Sequence, residues 1–131
     1  MSEIGRRRIN PPGQPIPHST FRIPHLYIHL PFCHEKCGYC SFASFKVDDH
    51  APSDPLFADY FAALYSELSA ATRFFGPQTF ETIYFGGGTP SVVPVTHIRD
   101  FLTRVRQDHQ VAPKAEITIE CNPNSISAEK I

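Results

Sequence analysis

Three short apolar runs alternate with two longer helical stretches, and this order constrains the fold more than any other feature of the chain. The runs are HLYIHL at 25–30, ETIYF at 81–85 and AEITIE at 115–120, and they are rich in the residues that strands favour. A strand, helix, strand, helix, strand order with connections of this length is typical of a parallel sheet built from right-handed crossovers. The sequence therefore predicts an α/β fold.

Two amphipathic stretches predict the connecting helices. Between residues 54 and 75 the apolar residues recur at spacings of three and four, which is the period of one helix face. A second helix is predicted around 98–105, and Pro94 suits its first turn. A further helix is expected to begin near Ser127.

Composition narrows the function classes. The chain has 131 residues, of which 41% are hydrophobic, and a formal net charge of -1 at pH 7, so we expect a modest core and no nucleic-acid partner. No apolar run is long enough to span a bilayer, and the first residues lack the apolar core of a signal peptide. We therefore expect a cytoplasmic protein with reduced cysteines. Residues 1–23 are rich in proline, and we expect them to form an extended leader before the folded part of the chain.

The segments that follow the three predicted strands carry the unusual residues of this chain. They read PFCHEKCGYC, GGGTPS and ECNPNS. The carboxyl ends of parallel strands lie at one edge of the sheet, which is where ligands bind in α/β proteins. The three segments are therefore predicted to meet at one site.

The first segment holds three closely spaced cysteines, Cys33, Cys37 and Cys40. Thiolates at this spacing can bind three corners of a four-iron, four-sulfur cluster and leave the fourth iron open to a ligand. The same cysteines could instead bind zinc, with one further residue as the fourth ligand. The residues available to complete such a zinc site are His29, His34 and Cys121.

The second segment begins with three consecutive glycines, Gly86, Gly87 and Gly88, followed by Thr89. Glycines let a backbone approach a ligand closely and offer N–H and C=O groups to an ammonium or a carboxylate. The alternative is a tight connection from strand to helix without a ligand. A side chain at Gly87 or Gly88 is expected to enter the ligand space and to leave the cysteine loop untouched.

Together, LYIHLPFCHEKCGYCSF, IYFGGGTPS and EITIECNP resemble the amino-terminal half of radical S-adenosylmethionine proteins. The resemblance is narrower to the oxygen-independent coproporphyrinogen III oxidase family, which includes a haem-chaperone branch. It covers residues 24–131 and implies parallel βα units that form the first half of a partial, TIM-like (β/α)6 barrel. Family members continue into further strand–helix units, so the chain is expected to be a truncated core domain without the substrate-binding half.

The resemblance implies two cofactors. Cys33, Cys37 and Cys40 would ligate a [4Fe-4S] cluster, and S-adenosylmethionine would chelate its fourth iron and be cleaved to a 5′-deoxyadenosyl radical. The residues that match the family's S-adenosylmethionine contacts are Tyr27, Gly87, Gly88, Thr89 and Glu120. The alternative for Glu120 is a solvated residue at the end of a strand.

Two details distinguish the branches of this family. The oxidase branch has a further cysteine two residues after the third, where this chain has Phe42, and the sequence Asn122-Pro123 is more similar to the haem-chaperone branch. The resemblance thus implies haem or porphyrin as a ligand of the full-length family and an electron donor such as a flavodoxin or ferredoxin. The other hypothesis is a non-catalytic zinc- or iron-binding module, or an inactive fragment, that uses the same cysteines.

Cys121 is the one cysteine outside the cluster motif. The alternation of EITIEC places it on the face opposite Glu120, together with Ile117 and Ile119. We therefore predict that Cys121 packs as a small hydrophobe and is not a cluster ligand.

Overall fold

The computed structural model describes residues 22–47 and 55–126. Residues 1–21 of the expected leader, and the helix expected near Ser127, lie outside the described residues. In chain order the elements are β1 (His25–Leu30), β2 (Phe32–Cys33), β3 (Phe45–Lys46), α1 (Pro55–Phe75), β4 (Thr79–Gly87), α2 (Val95–Asp108) and β5 (Gln110–Ile119). Short 3-10 turns occupy Pro90–Val92 and Pro123–Ser125.

The main sheet has the order β1-β4-β5, and both pairs of strands are parallel. In register, Tyr27 lies beside Tyr84, and Tyr84 lies beside Thr118. The α/β fold with a parallel sheet is therefore confirmed. β4 and β5 are longer than the apolar runs that predicted them, because their polar ends pair with each other through Thr79 and Gln110.

One face of this sheet is covered by both helices. Alternate residues of β1 and β4, including Leu30 and Phe85, are buried in a single core cluster that also contains side chains of α1 and α2. The ring of Phe101 on α2 lies 6.5 Å from that of Phe85 and 6.1 Å from that of Phe61 on α1. Placement of both helices on one face matches the half of a barrel, in which helices form an outer ring.

The ends of the helices follow local backbone chemistry. α1 is followed by Gly76, whose φ of 74° and hydrogen bond to Thr72 O at 2.9 Å end the helix in the left-handed conformation that glycine adopts readily. Pro94 stands at the N-cap of α2, one residue before the first turn in which it was predicted. Neither helix in the described ranges is both long and apolar enough to cross a membrane.

The face of β5 that is in register with the buried residues of β4 stays partly open. Ile117 and Ile119 pair with Ile83 and Phe85, yet they are 40% and 39% exposed. Cys121 is exposed as well, and its thiol donates to the carbonyl of Ile119 at 3.6 Å. The prediction that Cys121 packs as a small hydrophobe is therefore wrong, because the described residues place no helix over this part of the sheet.

Candidate functional site

The three segments predicted to meet do lie together at the carboxyl edge of the sheet. The amide of Gly88 donates to the carbonyl of Leu30 at 2.9 Å, which joins the glycine segment to the end of β1. The amide of Gly87 donates to the carboxylate of Glu120 at 3.1 Å, which joins it to the segment after β5. Parallel pairing produces this arrangement, since it brings the ends of β1, β4 and β5 to one edge.

The cysteine loop is closed at its base by two strands that sequence patterns did not predict. β2 and β3 are two residues each and pair in parallel, with Val47 N–H donating to Cys33 O at 2.8 Å. Runs of two residues are too short to show a period, so only the folded chain reveals them.

The three cysteines of the loop differ in their environments. Cys33 is buried, Cys40 is half-buried and Cys37 is exposed, and all of them are free thiols. The amide of Cys40 donates to Cys37 O at 3.0 Å and forms a turn. Among residues 22–47 and 55–126, no three cysteine, histidine or acidic side chains are already gathered as a metal site.

Gly88 packs directly on the cysteine loop. A Cβ at this position would lie 2.6 Å from Phe32 O and 2.9 Å from Cys33 Sγ, distances at which one of the partners must move. The neighbouring Thr89 hydroxyl donates to Cys33 Sγ at 3.7 Å. The expectation that a side chain at Gly88 leaves the cysteine loop untouched is therefore wrong, because β2 lies directly against this glycine.

Gly87 requires glycine for a different reason. Its φ is 122°, a conformation that L side chains rarely adopt. A Cβ there would also lie 2.8 Å from ring atoms of His29 and 3.0 Å from Leu30 O. The turn at the end of β4 thus depends on the absence of a side chain.

The amide groups of Gly87, Gly88 and Thr89 are engaged within the chain. Gly87 N–H donates to Glu120, and the amides of Gly88 and Thr89 donate to main-chain carbonyl groups of the β1–β2 segment at 2.9 and 2.7 Å. The sequence predicted that both N–H and C=O groups of this segment are offered to a ligand, but the N–H groups of these three residues already have partners within the chain.

Tyr27, Tyr84 and Glu120 form one group on the face of the sheet opposite the helices. The rings of Tyr27 and Tyr84 stack with centroids 6.0 Å apart and planes at 21°. The Tyr84 hydroxyl donates to Glu120 Oε1 at 2.8 Å. A Cβ at Gly86 would lie within 3.2 Å of all three side chains, so the first glycine of the triplet provides the space in which they converge.

His29 connects this group to the cysteine loop. Its Nε2 lies 2.9 Å from the carbonyl of Ala43 and therefore carries the proton, since a carbonyl can only accept. Its Nδ1 then accepts from the Tyr27 hydroxyl at 3.0 Å. Both ring nitrogens of His29 are thus occupied within the chain.

Two tyrosines of the site have altered acidity. The pKa of Tyr84 is raised chiefly because its hydroxyl donates to the negatively charged Glu120. The pKa of Tyr39, which lies exposed on the cysteine loop, is raised chiefly by its hydrogen bond with Cys37. Both phenols therefore remain protonated donors near neutral pH.

Known proteins resemble this chain over most of its length. The heme chaperone HemW of Escherichia coli is 36% identical over 105 residues, which cover 80% of this chain and 27% of that protein. The oxygen-independent coproporphyrinogen III oxidase of Bradyrhizobium diazoefficiens is 35% identical over 107 residues, which cover 81% of this chain and 23% of that protein. Coproporphyrinogen III oxidase (HemN) of Escherichia coli, described as a radical SAM enzyme, matches in structure with a TM-score of 0.70 and 29% identity over 81% of this chain and 24% of that one.

The chain is homologous to HemW- and HemN-type radical S-adenosylmethionine proteins. The resemblance expected from the sequence is confirmed, and the chain spans about a quarter of the length of the curated relatives it matches. A comparison with protein-family profiles found no match.

Sequence reasoning missed two residues of the site in this radical S-adenosylmethionine homologue, Tyr84 and Ser91. It named His29 only as a possible zinc ligand and Gly86 only as part of the glycine triplet. Strand alternation could have found Tyr84, because it lies on the same face of β4 as Gly86. Ser91 is buried, and its Oγ accepts from Asn122 N–H at 3.0 Å, a contact that no local pattern predicts.

Proposed function

We propose that this chain holds a [4Fe-4S] cluster through Cys33, Cys37 and Cys40 and binds S-adenosylmethionine beside it, as the cofactor-binding part of a radical S-adenosylmethionine protein. The observation that carries the proposal is the contact of the glycine segment with the first cysteine, in which Thr89 Oγ1 donates to Cys33 Sγ at 3.7 Å. The segment proposed for the cofactor and the loop proposed for the cluster are thereby packed against each other.

The donor set suits the cluster. Three free thiols on one loop are the ligand type that iron–sulfur clusters use. Cluster assembly has to bring the exposed Cys37 and the half-buried Cys40 toward Cys33. When bound, such a cluster supplies an electron and one iron that is open to S-adenosylmethionine.

The residues around the loop have separate roles in this proposal. Glu120 accepts hydrogen bonds from the ammonium or hydroxyl groups of S-adenosylmethionine. The ring of Tyr27 covers the bound molecule, and the segment of Gly87, Gly88 and Thr89, which packs on the cysteine loop, holds its methionine end. The stacked tyrosines lie on the open face of the sheet, which leaves room for a ligand beside them.

The haem-chaperone branch is the better candidate for the full-length protein. Phe42 occupies the position of the oxidase branch's further cysteine, and its side chain is exposed. We propose haem or porphyrin as the ligand of the whole protein and a flavodoxin or ferredoxin as its electron donor. The free cysteines agree with a reducing compartment such as the cytoplasm.

The zinc-module hypothesis is weakened at one of its possible ligands. Both nitrogens of His29 are hydrogen-bonded within the chain, so zinc binding at either nitrogen would cost one of these contacts. Cys121 is exposed and remains available to such a site.

Anaerobic reconstitution with iron and sulfide tests the proposal. We expect a brown protein with cluster absorbance, a spin-resonance signal after reduction, and a change of that signal on addition of S-adenosylmethionine. A matched pair of variants, Cys37→Ala and Cys121→Ala, controls for nonspecific iron uptake, since both thiols are exposed. A colourless protein with one tightly bound zinc, or equal iron in both variants, would refute the proposal.

A further inference from the structure

The carboxylate of Glu120 is held at both of its oxygens. Oε1 accepts from the hydroxyl of Tyr84 at 2.8 Å, and Oε2 accepts from the amide of Gly87 at 3.1 Å. A glutamate at the end of a strand ordinarily samples several rotamers. Two donors on different oxygens restrict both the position and the plane of this carboxylate.

Tyr84 is itself held in place. Its ring stacks on that of Tyr27, with which it is paired in the ladder between β1 and β4. The Tyr27 hydroxyl is in turn bonded to Nδ1 of His29 at 3.0 Å. The donor that orients Glu120 is therefore fixed by the sheet and does not depend on a mobile loop.

The first glycine of the triplet allows this contact. A Cβ at Gly86 would lie 2.8 Å from Cε1 of Tyr84 and 3.2 Å from Oε2 of Glu120. Tyr84 and Gly86 share one face of β4, since strand residues two apart point the same way. The tyrosine ring can thus pass close to Gly86 and reach the carboxylate.

We propose that Tyr84 is a positioning residue that fixes the Glu120 carboxylate for a ligand carrying hydroxyl or ammonium groups. This inference rests on the function proposed above, in which that ligand is S-adenosylmethionine. A carboxylate has about four acceptor positions, and the two contacts within the chain leave the others free. Tyr84 thereby aims the unused acceptor positions without occupying them.

The test compares Tyr84→Phe with two reference variants in the reconstituted chain. Phenylalanine keeps the stacked ring and removes only the hydroxyl, so we expect unchanged iron content and S-adenosylmethionine binding weakened roughly tenfold, in line with the loss of one modest hydrogen bond. Tyr65→Phe on α1 is the matched control, because Tyr65 packs beside Phe101 on the helix side. Glu120→Gln completes a double-mutant cycle, in which the two effects should not add.

A second readout does not require the cofactor. In NMR spectra of protein with carbon-13-labelled tyrosine, the pKa of Tyr84 should lie above that of a free tyrosine. It should fall in Glu120→Gln, because the hydrogen bond to the Glu120 carboxylate is the main reason that this pKa is raised. If the role of Tyr84 were purely structural, Tyr84→Phe would lower the melting temperature and leave the S-adenosylmethionine affinity of the folded protein unchanged.

The outcomes separate the two proposals. If the wild-type chain binds S-adenosylmethionine and Tyr84→Phe binds it equally well, the positioning role fails and the proposed function stands. If the wild-type chain takes up no iron and no S-adenosylmethionine, the proposed function fails and the positioning role falls with it. An unchanged Tyr84 titration in Glu120→Gln would show that the contact between them is absent in solution.

Discussion

Gly88→Ala tests most directly whether the glycine segment and the cysteine loop are one packed unit. The added Cβ would lie 2.6 Å from Phe32 O, 2.9 Å from Cys33 Sγ and 3.0 Å from Phe32 N. Nonbonded heavy atoms in contact lie about 3.5 Å apart, so the methyl group would overlap the Phe32 carbonyl by roughly 0.9 Å. Two of the three atoms are main chain, and they cannot rotate away.

The cost follows from the way these atoms are held. Phe32 O accepts from Thr89 N–H at 2.7 Å, and Gly88 N–H donates to Leu30 O at 2.9 Å. Relief of the overlap must stretch one of these hydrogen bonds. Overpacking of this kind costs about 2 kcal/mol, which for a domain of about 100 residues lowers Tm by roughly 10 °C.

Thermal and urea unfolding followed by circular dichroism measure this effect, with Gly38→Ala as the control. Gly38 lies in the same cysteine loop, a Cβ added to it would meet no heavy atom within 4 Å, and its φ is not positive. We expect Gly38→Ala to be neutral or slightly stabilising, because alanine restricts the unfolded chain. We also expect Gly88→Ala, and not Gly38→Ala, to take up less iron, since the overlap reaches Cys33. Equal melting temperatures for the two variants would refute the reasoning.

Three further predictions rest on other parts of the chain. Cys37→Ala should lose the cluster, while Cys121→Ala should keep both the cluster and its spectral response to S-adenosylmethionine. Loss of the cluster in Cys121→Ala would show that the Cys121 thiol is a cluster ligand. Phe61→Ala should destabilise the chain by about 4 kcal/mol in urea unfolding, because its fully buried ring on α1 packs against Phe101 of α2; a loss of stability below about 1 kcal/mol would contradict this packing. Burial lowers the pKa of His109 below its usual value of 6.5. As the pH falls, the unfolded chain therefore binds this proton before the folded chain does. The stability contributed by the neutral ring is complete above pH 6.5 and should decrease as the pH drops below that value. His109→Gln should remove this part of the pH dependence, and an unchanged pH profile would show that His109 does not cause it.

His109 also shows how the amino edge of the sheet is held. Its Nδ1 accepts from Gln78 N–H at 3.0 Å, and its Nε2 lies 3.0 Å from the Thr72 hydroxyl, which itself donates to Leu68 O. Nε2 therefore carries the proton of the neutral ring. Protonation of Nδ1 would set two N–H groups against each other, which is the structural reason for the expected acid sensitivity.

The helices and the centres of the strands could be predicted from the sequence. The period of three and four in α1 and the apolar run of β1 are local properties, and each depends on residues that are neighbours along the chain. The strand ends could not be predicted in this way. Pro113 and Lys114 lie within β5 although strands disfavour both, because they fall in the irregularity between the pairs Phe80–Val111 and Thr82–Glu116, where the ladder with β4 is interrupted.

The sequence by itself determined which chemical groups stand at the site, since the spacing of Cys33, Cys37 and Cys40 and the glycine triplet are written in consecutive residues. Only the tertiary structure decided which of these groups touch. Gly88 meets Cys33, and Tyr84 meets Glu120, across helical crossovers that separate them in the chain. Such contacts depend on the register of parallel strands, and that register is set by the packing of α1 and α2 on the sheet.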